Sequence, residues 1–194
     1  MTLLNRALAA IDAANGEDPN RVESEGGAIA KEVLYSQRMS TWLVTLETEA
    51  SEELQLACRA QHIRRWESPR SDYPQGRAGY KLWRADLLKR HAATTETILQ
   101  EIGYSEAQIQ RVSSLLKKLH RSTDREAQTL EDVACLVFLA HEFDAFAAKH
   151  DDEKLIGIVQ KTWKKMSPRG HQAALSLSFS GRVGSIVERA LAPK

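Results

Sequence analysis

The longest nearly uninterrupted apolar run in the chain, Val133 to Ala140, lies inside the segment Leu130 to Phe146, LEDVACLVFLAHEFDAF. Its length and composition predict a central helix. At helical spacing Asp132 shares a face with three apolar residues, Leu136, Leu139 and Phe143. A carboxylate buried without a hydrogen bond, counter-charge or metal costs several kcal/mol. Asp132 is therefore expected to have a specific partner or a chemical role.

The composition is that of a folded globular protein. The chain has 194 residues, 42% of them hydrophobic and 27% charged. These values predict one domain over residues 1–194 with an ordinary core. The net charge of +1 argues against nucleic acid and anionic membrane surfaces as partners. No apolar run reaches the ~18 residues of a membrane span, so we expect no membrane partner and a cytoplasmic protein.

Hydrophobic periodicity predicts an all-α fold, because no β-branched run alternates strictly with polar residues. Ser51 and Ser105 are typical N-caps. A polar loop, GEDPNRVESEGG, separates the first two helices. The predicted helices cover residues 3–14, 28–46, 52–66, 80–102, 105–119 and 130–146, followed by a shorter amphipathic helix within 150–166 and a last helix at 184–191.

The two cysteines, Cys58 and Cys135, lie among apolar neighbours on predicted helices. No CxxC or CxxH spacing accompanies them. They are predicted to be buried free thiols and not a disulfide or a zinc site.

A functional loop is predicted at about residues 67–84, ESPRSDYPQGRAGYKLWR, where two prolines and two glycines interrupt helical periodicity. Arginine forks bind phosphate or carboxylate, and Trp and Tyr offer flat apolar faces, so this mixture suits a small anionic molecule with a ring. The alternative is that the arginines pair with nearby carboxylates and pin the loop to the body of the protein. Single-stranded RNA is disfavoured because the loop lacks an extended basic stripe. The predicted ligand-binding residues are Arg38, Arg65, Arg70, Arg77, Trp83 and Arg84.

His62, His91, His120 and His141 lie on four different predicted helices, so only the fold can bring them together. A histidine on such a face is commonly a hydrogen-bonded structural residue. His62 stands out because it lies between an apolar turn and the arginine loop, where general acid or base catalysis is feasible. Asp132 has an alternative role as a favourable charge at a helix start. The common enzyme motifs are absent, including Gly-rich phosphate loops, HExxH, GxSxG and zinc-finger spacings.

The chain resembles an uncharacterised family, the domain of unknown function numbered forty-two-oh-two. The resemblance spans about residues 9 to 175 and names no activity. The matching strings include AIDAANGEDPN, KEVLYSQRMSTWL, ASEELQLACRAQHIRRWESPRSDYP, RAGYKLWR and LEDVACLVFL.

A more distant similarity is to the HD superfamily of helical metal-dependent phosphohydrolases, in which His, His-Asp and a later Asp bind the metal. Tyr35 stands where the first His would be, and Gln61-His62 stands at the His-Asp pair, or His62-Ile63 if the register moves by one. Asp132 falls at the position of the last metal-binding Asp.

His91 and His120 fall where that superfamily often has further His residues. This similarity implies an HD-like helical bundle with a degenerate metal site, for which His62 and Asp132 are the candidate ligands. Because three of four primary ligands are altered, a standard divalent-metal enzyme is disfavoured.

The resulting hypothesis is an HD-like hydrolase that acts on a small anionic, nucleotide-like metabolite. His62, His91 and Asp132 are its predicted catalytic residues. The alternatives are a non-catalytic sensor of an anionic ligand and an interaction module. The sequence does not determine the substrate, the oligomeric state or whether the protein is an enzyme at all.

Overall fold

Helices account for most of the computed structural model, which describes residues 1–24, 26–120 and 122–192. The predicted all-α fold is thereby confirmed. The ten α-helices of the described residues are α1 (Leu3–Gly16), α2 (Lys31–Leu46), α3 (Glu52–Arg59), α4 (Gly76–Ile102), α5 (Glu106–Leu116), α6 (Arg125–Val137), α7 (Phe143–Ala147), α8 (Asp152–Trp163), α9 (Pro168–Leu175) and α10 (Gly181–Leu191). No helix in these ranges is long and apolar enough to cross a bilayer.

A small antiparallel hairpin, β1 (Arg21–Ser24) and β2 (Gly27–Ala30), occupies part of the segment predicted as a polar loop. Val22 pairs with Ile29, and Gly27 has a left-handed φ of 98° at the turn. Strand β2 runs directly into α2. The hairpin therefore delivers the chain to the first turn of α2, three residues later than the predicted helix start.

Side-chain caps begin most of the helices, as the sequence predicted at two of them. Ser51 accepts a hydrogen bond from the Leu54 amide, and Ser105 forms a capping box with Gln108. Asp124 caps α6 by accepting from the amides of Glu126 and Ala127. These caps satisfy amides that have no partner inside the helix, which is why the helices start where they do.

The main core lies between helices α1 to α6, and its fully buried members include Ile11, Met39, Leu54, Leu99, Leu116 and Val133. A second cluster joins α7, α8 and α10 around Phe143, Leu155 and Ile186. The predicted central segment, residues 130–146, contributes to both clusters. It is not one regular helix, however: a π-helical turn, Phe138–Glu142, separates α6 from α7.

Helix α3 ends at Arg59, whereas the sequence predicted a helix to Trp66, so this prediction was wrong. Residues 60–64 form turns, and Arg64 adopts a left-handed φ of 49° that no helix accommodates. The Arg64 amide donates to the side-chain oxygen of Asn15 at 3.1 Å. This tertiary contact holds the turn, and it places His62 after the helix instead of on it.

The long loop before α4 is shorter than predicted, because α4 begins at Gly76 and not near Tyr80. Gly79 allows the loop to pack closely on the helix. A Cβ at this position would lie 1.8 Å from the carbonyl oxygen of Pro74.

Gly79→Ala is therefore expected to lower the free energy of unfolding by about 1–3 kcal/mol, because the loop must move away from α4. Gly157→Ala in α8 is the matched control. Apart from the nearby backbone of α8 itself, no atom of the described residues lies within 4 Å of its added methyl group, so it should raise stability by about 0.5–1 kcal/mol. Urea denaturation of both variants measures the difference. Equal effects would show that the loop is not closely packed at Gly79.

Candidate active site

His62 occupies the turn after α3, where its ring stacks on Tyr35 of α2. The ring centroids are 3.8 Å apart and the planes differ by 11°. Tyr35 is buried, while the His62 side chain retains 19% of its exposure. The imidazole is thus held between protein groups and still reaches solvent.

Each ring nitrogen of His62 faces a charged side chain. Nε2 lies 3.0 Å from a terminal nitrogen of Arg65. A guanidinium has only donors, so Nε2 accepts this hydrogen bond and the ring proton belongs on Nδ1. Nδ1 lies 3.5 Å from Oε2 of Glu32, which has no hydrogen-bond partner among the described residues. Glu32, His62 and Arg65 therefore form a connected set with a defined tautomer.

Burial perturbs the acid–base properties of both Glu32 and His62. The Glu32 side chain is 7% exposed, and its burial raises the pKa to about 7, although Arg65 opposes the shift. Burial lowers the pKa of His62 well below its usual value, and the positive charge of Arg65 lowers it further. A neutral imidazole beside a carboxyl that titrates near pH 7 is suited to moving protons at physiological pH.

His91 of α4 lies close to His62, with the ring centroids 6.1 Å apart. Its Nδ1 donates to the Ile63 carbonyl at 2.8 Å, and its Nε2 has no hydrogen-bond partner in the described part of the chain. Burial lowers its pKa to about 4. His91 also lines a polar cleft of about 160 Å³ between the 63–68 turn and α4. The structure therefore brings His62 and His91 together, as the predicted site requires.

Three of the predicted ligand-binding residues adjoin this pair: Arg65, Trp83 and Arg84. The Arg65 guanidinium carbon lies 4.9 Å from the Trp83 ring centroid, and Trp83 donates to the Ser68 carbonyl at 2.9 Å. The charge of Arg84 lowers the pKa of Arg65 and of both histidines, after the larger effect of burial in each case. Arg65 thus contacts both His62 and Trp83, and the charge of Arg84 acts on Arg65 and on both imidazoles.

The other predicted arginines are placed differently. Arg70 donates to the carbonyls of Tyr73 at 2.9 Å and Pro74 at 2.8 Å, so it closes its own loop. Arg77 is exposed in the first turn of α4. Arg38 lies near His141, whose pKa falls through burial and then through the charge of Arg38. No hydrogen bond or ion pair joins these three to His62 within the described residues. Arg70 therefore stabilises the loop, but through backbone carbonyls of the loop itself and not through the carboxylates that the alternative invoked.

Asp132 is buried as predicted, and its partners are in the junction between α6 and α9. Its carboxylate accepts from the Ser167 amide at 2.8 Å and from the Ser167 hydroxyl at 2.5 Å. Gln128 donates to it at 3.0 Å. Ser167 in turn caps α9. No contact joins Asp132 to His62 in the described ranges, so these two predicted catalytic residues belong to separate sites.

The described residues contain no group of three or more His, Cys, Asp or Glu side chains arranged to hold a metal ion. The predicted metal candidates, His62 and Asp132, are engaged with Arg65 and Ser167 respectively. His120, predicted as an auxiliary ligand, is exposed in the turn after α5.

A family model described as Domain of unknown function (DUF4202) matches residues 5–187. The chain belongs to this family. No curated protein and no solved structure matches it. The function of this DUF4202 protein must therefore be argued from the site itself.

Three residues of the site were not identified from the sequence: Glu32, Asn15 and Asp18. Both Asn15, in the last turn of α1, and Asp18, in the loop that follows, are fully buried. Asp18 accepts from the Glu32 amide at 3.2 Å, just as Asn15 accepts from the Arg64 amide. The end of α1 and the loop after it therefore fix the backbone at Glu32 and beside His62.

A signal for Glu32 was present in the sequence. At helical spacing Glu32 shares a face with Tyr35, Met39 and Leu43, all buried in the structure. The argument made for Asp132, a carboxylate on an apolar face, applies equally to Glu32. The local bonds of Asp18 to Asn20 mark only a turn. The contacts that matter for the site join Asn15 and Asp18 to residues 49 and 14 positions away in the chain.

The junction at Asp132 predicts strong coupling between Asp132 and Gly170. A Cβ at Gly170 would lie 2.8 Å from the Asp132 carboxyl group. Gly170→Ala should cost about 1–3 kcal/mol of stability. Asp132→Ala should cost about 2–4 kcal/mol, since it leaves buried donors without an acceptor. In the double variant the Asp132 carboxyl group is gone, so the methyl group has room. The stability lost by the double variant should therefore be smaller than the sum of the two single losses by about 1–3 kcal/mol, as measured by urea denaturation of all four proteins. Additive costs would contradict the crowded junction.

The raised pKa of Glu32 predicts a pH-dependent stability difference between wild type and Glu32→Gln. Between pH 4.5, the ordinary value, and about 7, folded Glu32 holds a proton that the unfolded chain releases. The free energy of unfolding of the wild type therefore falls as pH rises from 4.5 to about 7, because the unfolded chain gives up this proton more readily. The glutamine of the variant does not titrate, so the stability of the variant relative to the wild type should increase by up to about 3 kcal/mol from pH 4.5 to above 7. His62 and His91 are present in both proteins, so their contributions to the pH dependence of stability largely cancel in the difference.

Denaturant unfolding at several pH values measures this difference. Glu153→Gln, at a side chain that is 85% exposed, is the control and should show a flat difference. A flat difference for Glu32→Gln as well would mean that Glu32 is not desolvated as described.

Proposed function

We propose that this protein is an acid–base enzyme that acts on a small anionic metabolite, with hydrolysis as the reaction. The observation that carries the proposal is the position of His62 between a buried carboxyl that titrates near pH 7 and an arginine. Pairs of titratable groups whose environments shift their pKa values are typical of catalytic sites. The exposed part of the His62 ring gives a substrate access.

The ligand chemistry follows from the two guanidinium groups. None of the ion pairs among the described residues includes Arg65, and its like charge with Arg84 is unfavourable. A phosphate or carboxylate would relieve that repulsion and accept planar, bidentate hydrogen bonds. Trp83 and the half-exposed Tyr80 lie 5.8 Å apart beside this position and favour a ligand that also carries a ring. A nucleotide-like metabolite meets both requirements.

The proposed reaction uses His62 as the base and then as the acid. Nε2 removes a proton from a water molecule as its oxygen attacks the electrophilic centre, and the imidazolium returns that proton to the departing group. Glu32 stabilises the transient charge through Nδ1–H, and the arginines stabilise the anionic transition state. His91, neutral and close by, offers Nε2 as an acceptor for a ligand hydroxyl or amine.

A distant relation to the HD phosphohydrolases belongs to the proposal. It is supported by the ring contacts of Tyr35, His62 and His91, which stand at three of the aligned positions on separate segments. The residues present do not fit the divalent metal of that superfamily. Burial raises the pKa of Tyr35, which keeps the phenol protonated, and Asp132 is bonded to Ser167. The mechanism therefore uses no step through a metal.

We also infer a cytoplasmic location. The support for it is that Cys58 and Cys135 are both free and buried, as is usual for proteins of a reducing compartment.

A sensor that binds the anion without turnover is the second candidate. The observation that favours it is the hydrogen bond from Arg65 to Nε2 of His62, which occupies the lone pair that a base would use. The two candidates share the ligand site and differ in what His62 does.

The proposal predicts different effects for binding and catalytic substitutions. Inorganic phosphate, a nucleoside monophosphate and a tricarboxylate serve as probes, with affinity measured by calorimetry and turnover by product detection. Arg84→Gln should weaken binding by roughly tenfold or more. His62→Ala should abolish turnover and leave affinity within about threefold of wild type.

Arg189→Gln, in α10 and paired with Asp152, is the matched control and should change neither quantity. Binding without any product from the whole panel would favour the sensor. Absence of binding by every probe would refute the anion site.

A further inference from the structure

Arg65 occupies an unusual position for a half-buried cation. One terminal nitrogen donates to Nε2 of His62 at 3.0 Å, and the guanidinium carbon lies 4.9 Å from the Trp83 ring centroid. Among the hydrogen bonds of the described residues, the one to His62 is the only one that the Arg65 side chain makes. A guanidinium has five N–H donors, so most of its hydrogen-bonding capacity is unused.

The partner of Arg65 is weaker than those the neighbouring arginines have. Arg59 binds both carboxylate oxygens of Asp12, at 2.6 and 2.5 Å, and Arg64 binds the Glu17 carboxylate at 2.7 Å. Arg65 has a neutral imidazole instead. The bond to His62 is assisted by one charge only, whereas a guanidinium–carboxylate pair adds the attraction between two opposite charges and can be bidentate. An oxyanion that reaches Arg65 therefore competes well against His62.

The backbone around Arg65 is held in place while its side chain is not. The Arg64 amide is bound to Asn15, and its guanidinium to Glu17. Trp83 is anchored to the Ser68 carbonyl. Only the Arg65 side chain needs to rotate to leave His62, and Arg84 is close enough for its charge to lower the pKa of Arg65.

We propose that Arg65 is a ligand-released latch on His62: an oxyanion bound by Arg65 and Arg84 draws the guanidinium away and frees Nε2. The proposal rests on the anion site described under Proposed function. The proton on Nδ1 stays directed at Glu32, so the released imidazole has its lone pair on the substrate side. His62 then acts as a base only when the anionic group is bound.

The latch can be tested without any enzymatic assay, through the rate at which diethyl pyrocarbonate modifies His62. This reagent acylates an unprotonated imidazole nitrogen, and peptide mass spectrometry resolves His62 from the other histidines. Arg65→Met keeps a long side chain over Trp83 but removes the donor. It should accelerate modification of His62 by about tenfold or more, the change expected from losing one charge-assisted hydrogen bond. Arg65→Lys keeps a charged donor and should stay near the wild-type rate.

The second arm of the experiment adds inorganic phosphate to the wild-type protein, with binding measured by calorimetry on the same sample. Phosphate should accelerate modification of His62, and Arg84→Gln should remove that acceleration at the same phosphate concentration. His150, which is half-buried and remote in the chain from the site, is the internal reference and should react at a constant rate throughout.

The outcomes separate the latch from the proposed function. Phosphate that binds but leaves the His62 rate unchanged overturns the latch alone, as does an unchanged rate in a folded Arg65→Met variant. Failure of phosphate and of the other anionic probes to bind overturns the anion site, and the latch with it. If Arg65→Met does not fold, as judged by circular dichroism, the comparison of wild type with Arg84→Gln decides the question.

Discussion

The hydrogen bond from the Arg64 amide to the Asn15 side chain is the contact on which the candidate site depends. A non-glycine residue in the left-handed region costs about 1–3 kcal/mol, so Arg64 holds its φ of 49° only because the surroundings impose it. Three residues later in the chain than Asn15, Asp18 binds the Glu32 amide. The last turn of α1 and the loop that follows it therefore set the relative position of Glu32 on α2 and His62 after α3.

The electrostatics of the site follow from that packing. Burial raises the pKa of Glu32 and lowers the pKa of His62, and both shifts favour uncharged groups. With Arg65 and Arg84 adjacent, the protein can bury the pair near neutral pH without an isolated carboxylate or imidazolium. The remaining unbalanced charge is the positive charge of the arginines, which is why the chemistry points to an anionic ligand.

Features with local causes could be predicted from the sequence. The Ser51 and Ser105 caps depend on neighbouring residues and were correct, and the bounds of α1, α2, α5 and α10 were correct to within about three residues. Helix α6 begins at Arg125, before its predicted start, and α9 was not predicted. The turn after α3 is held by Asn15, which lies 49 residues before Arg64, so helical periodicity up to Trp66 was misleading. The sequence also predicted His62, His91, Arg65, Trp83 and Arg84 as site residues, and these do lie together.

What could not be predicted was how identical residue types are used. Arg65 and Arg70 are both half-buried arginines near the same loop, yet one faces an imidazole and the other binds loop carbonyls. Likewise Asp132 and Glu32 are both carboxylates on apolar helix faces. Ser167 satisfies Asp132, whereas Oε2 of Glu32 has no hydrogen-bond partner within the described residues. Which carboxylate was available for chemistry depended on residues distant in the chain.

The π-helical turn at Phe138–Glu142 has a consequence for how the two halves of the molecule can change over time. A π-helical turn contains one extra residue, which rotates the following helix about its axis. The buried face of α7 therefore does not continue the buried face of α6, and the two helices pack into different apolar clusters. Substitutions that repack α7 against α8 and α10 need not preserve the register that α6 requires against α2. The turn thus lets α7 follow the register that α8 and α10 require, while α9 stays tied to α6 through Ser167 and Asp132.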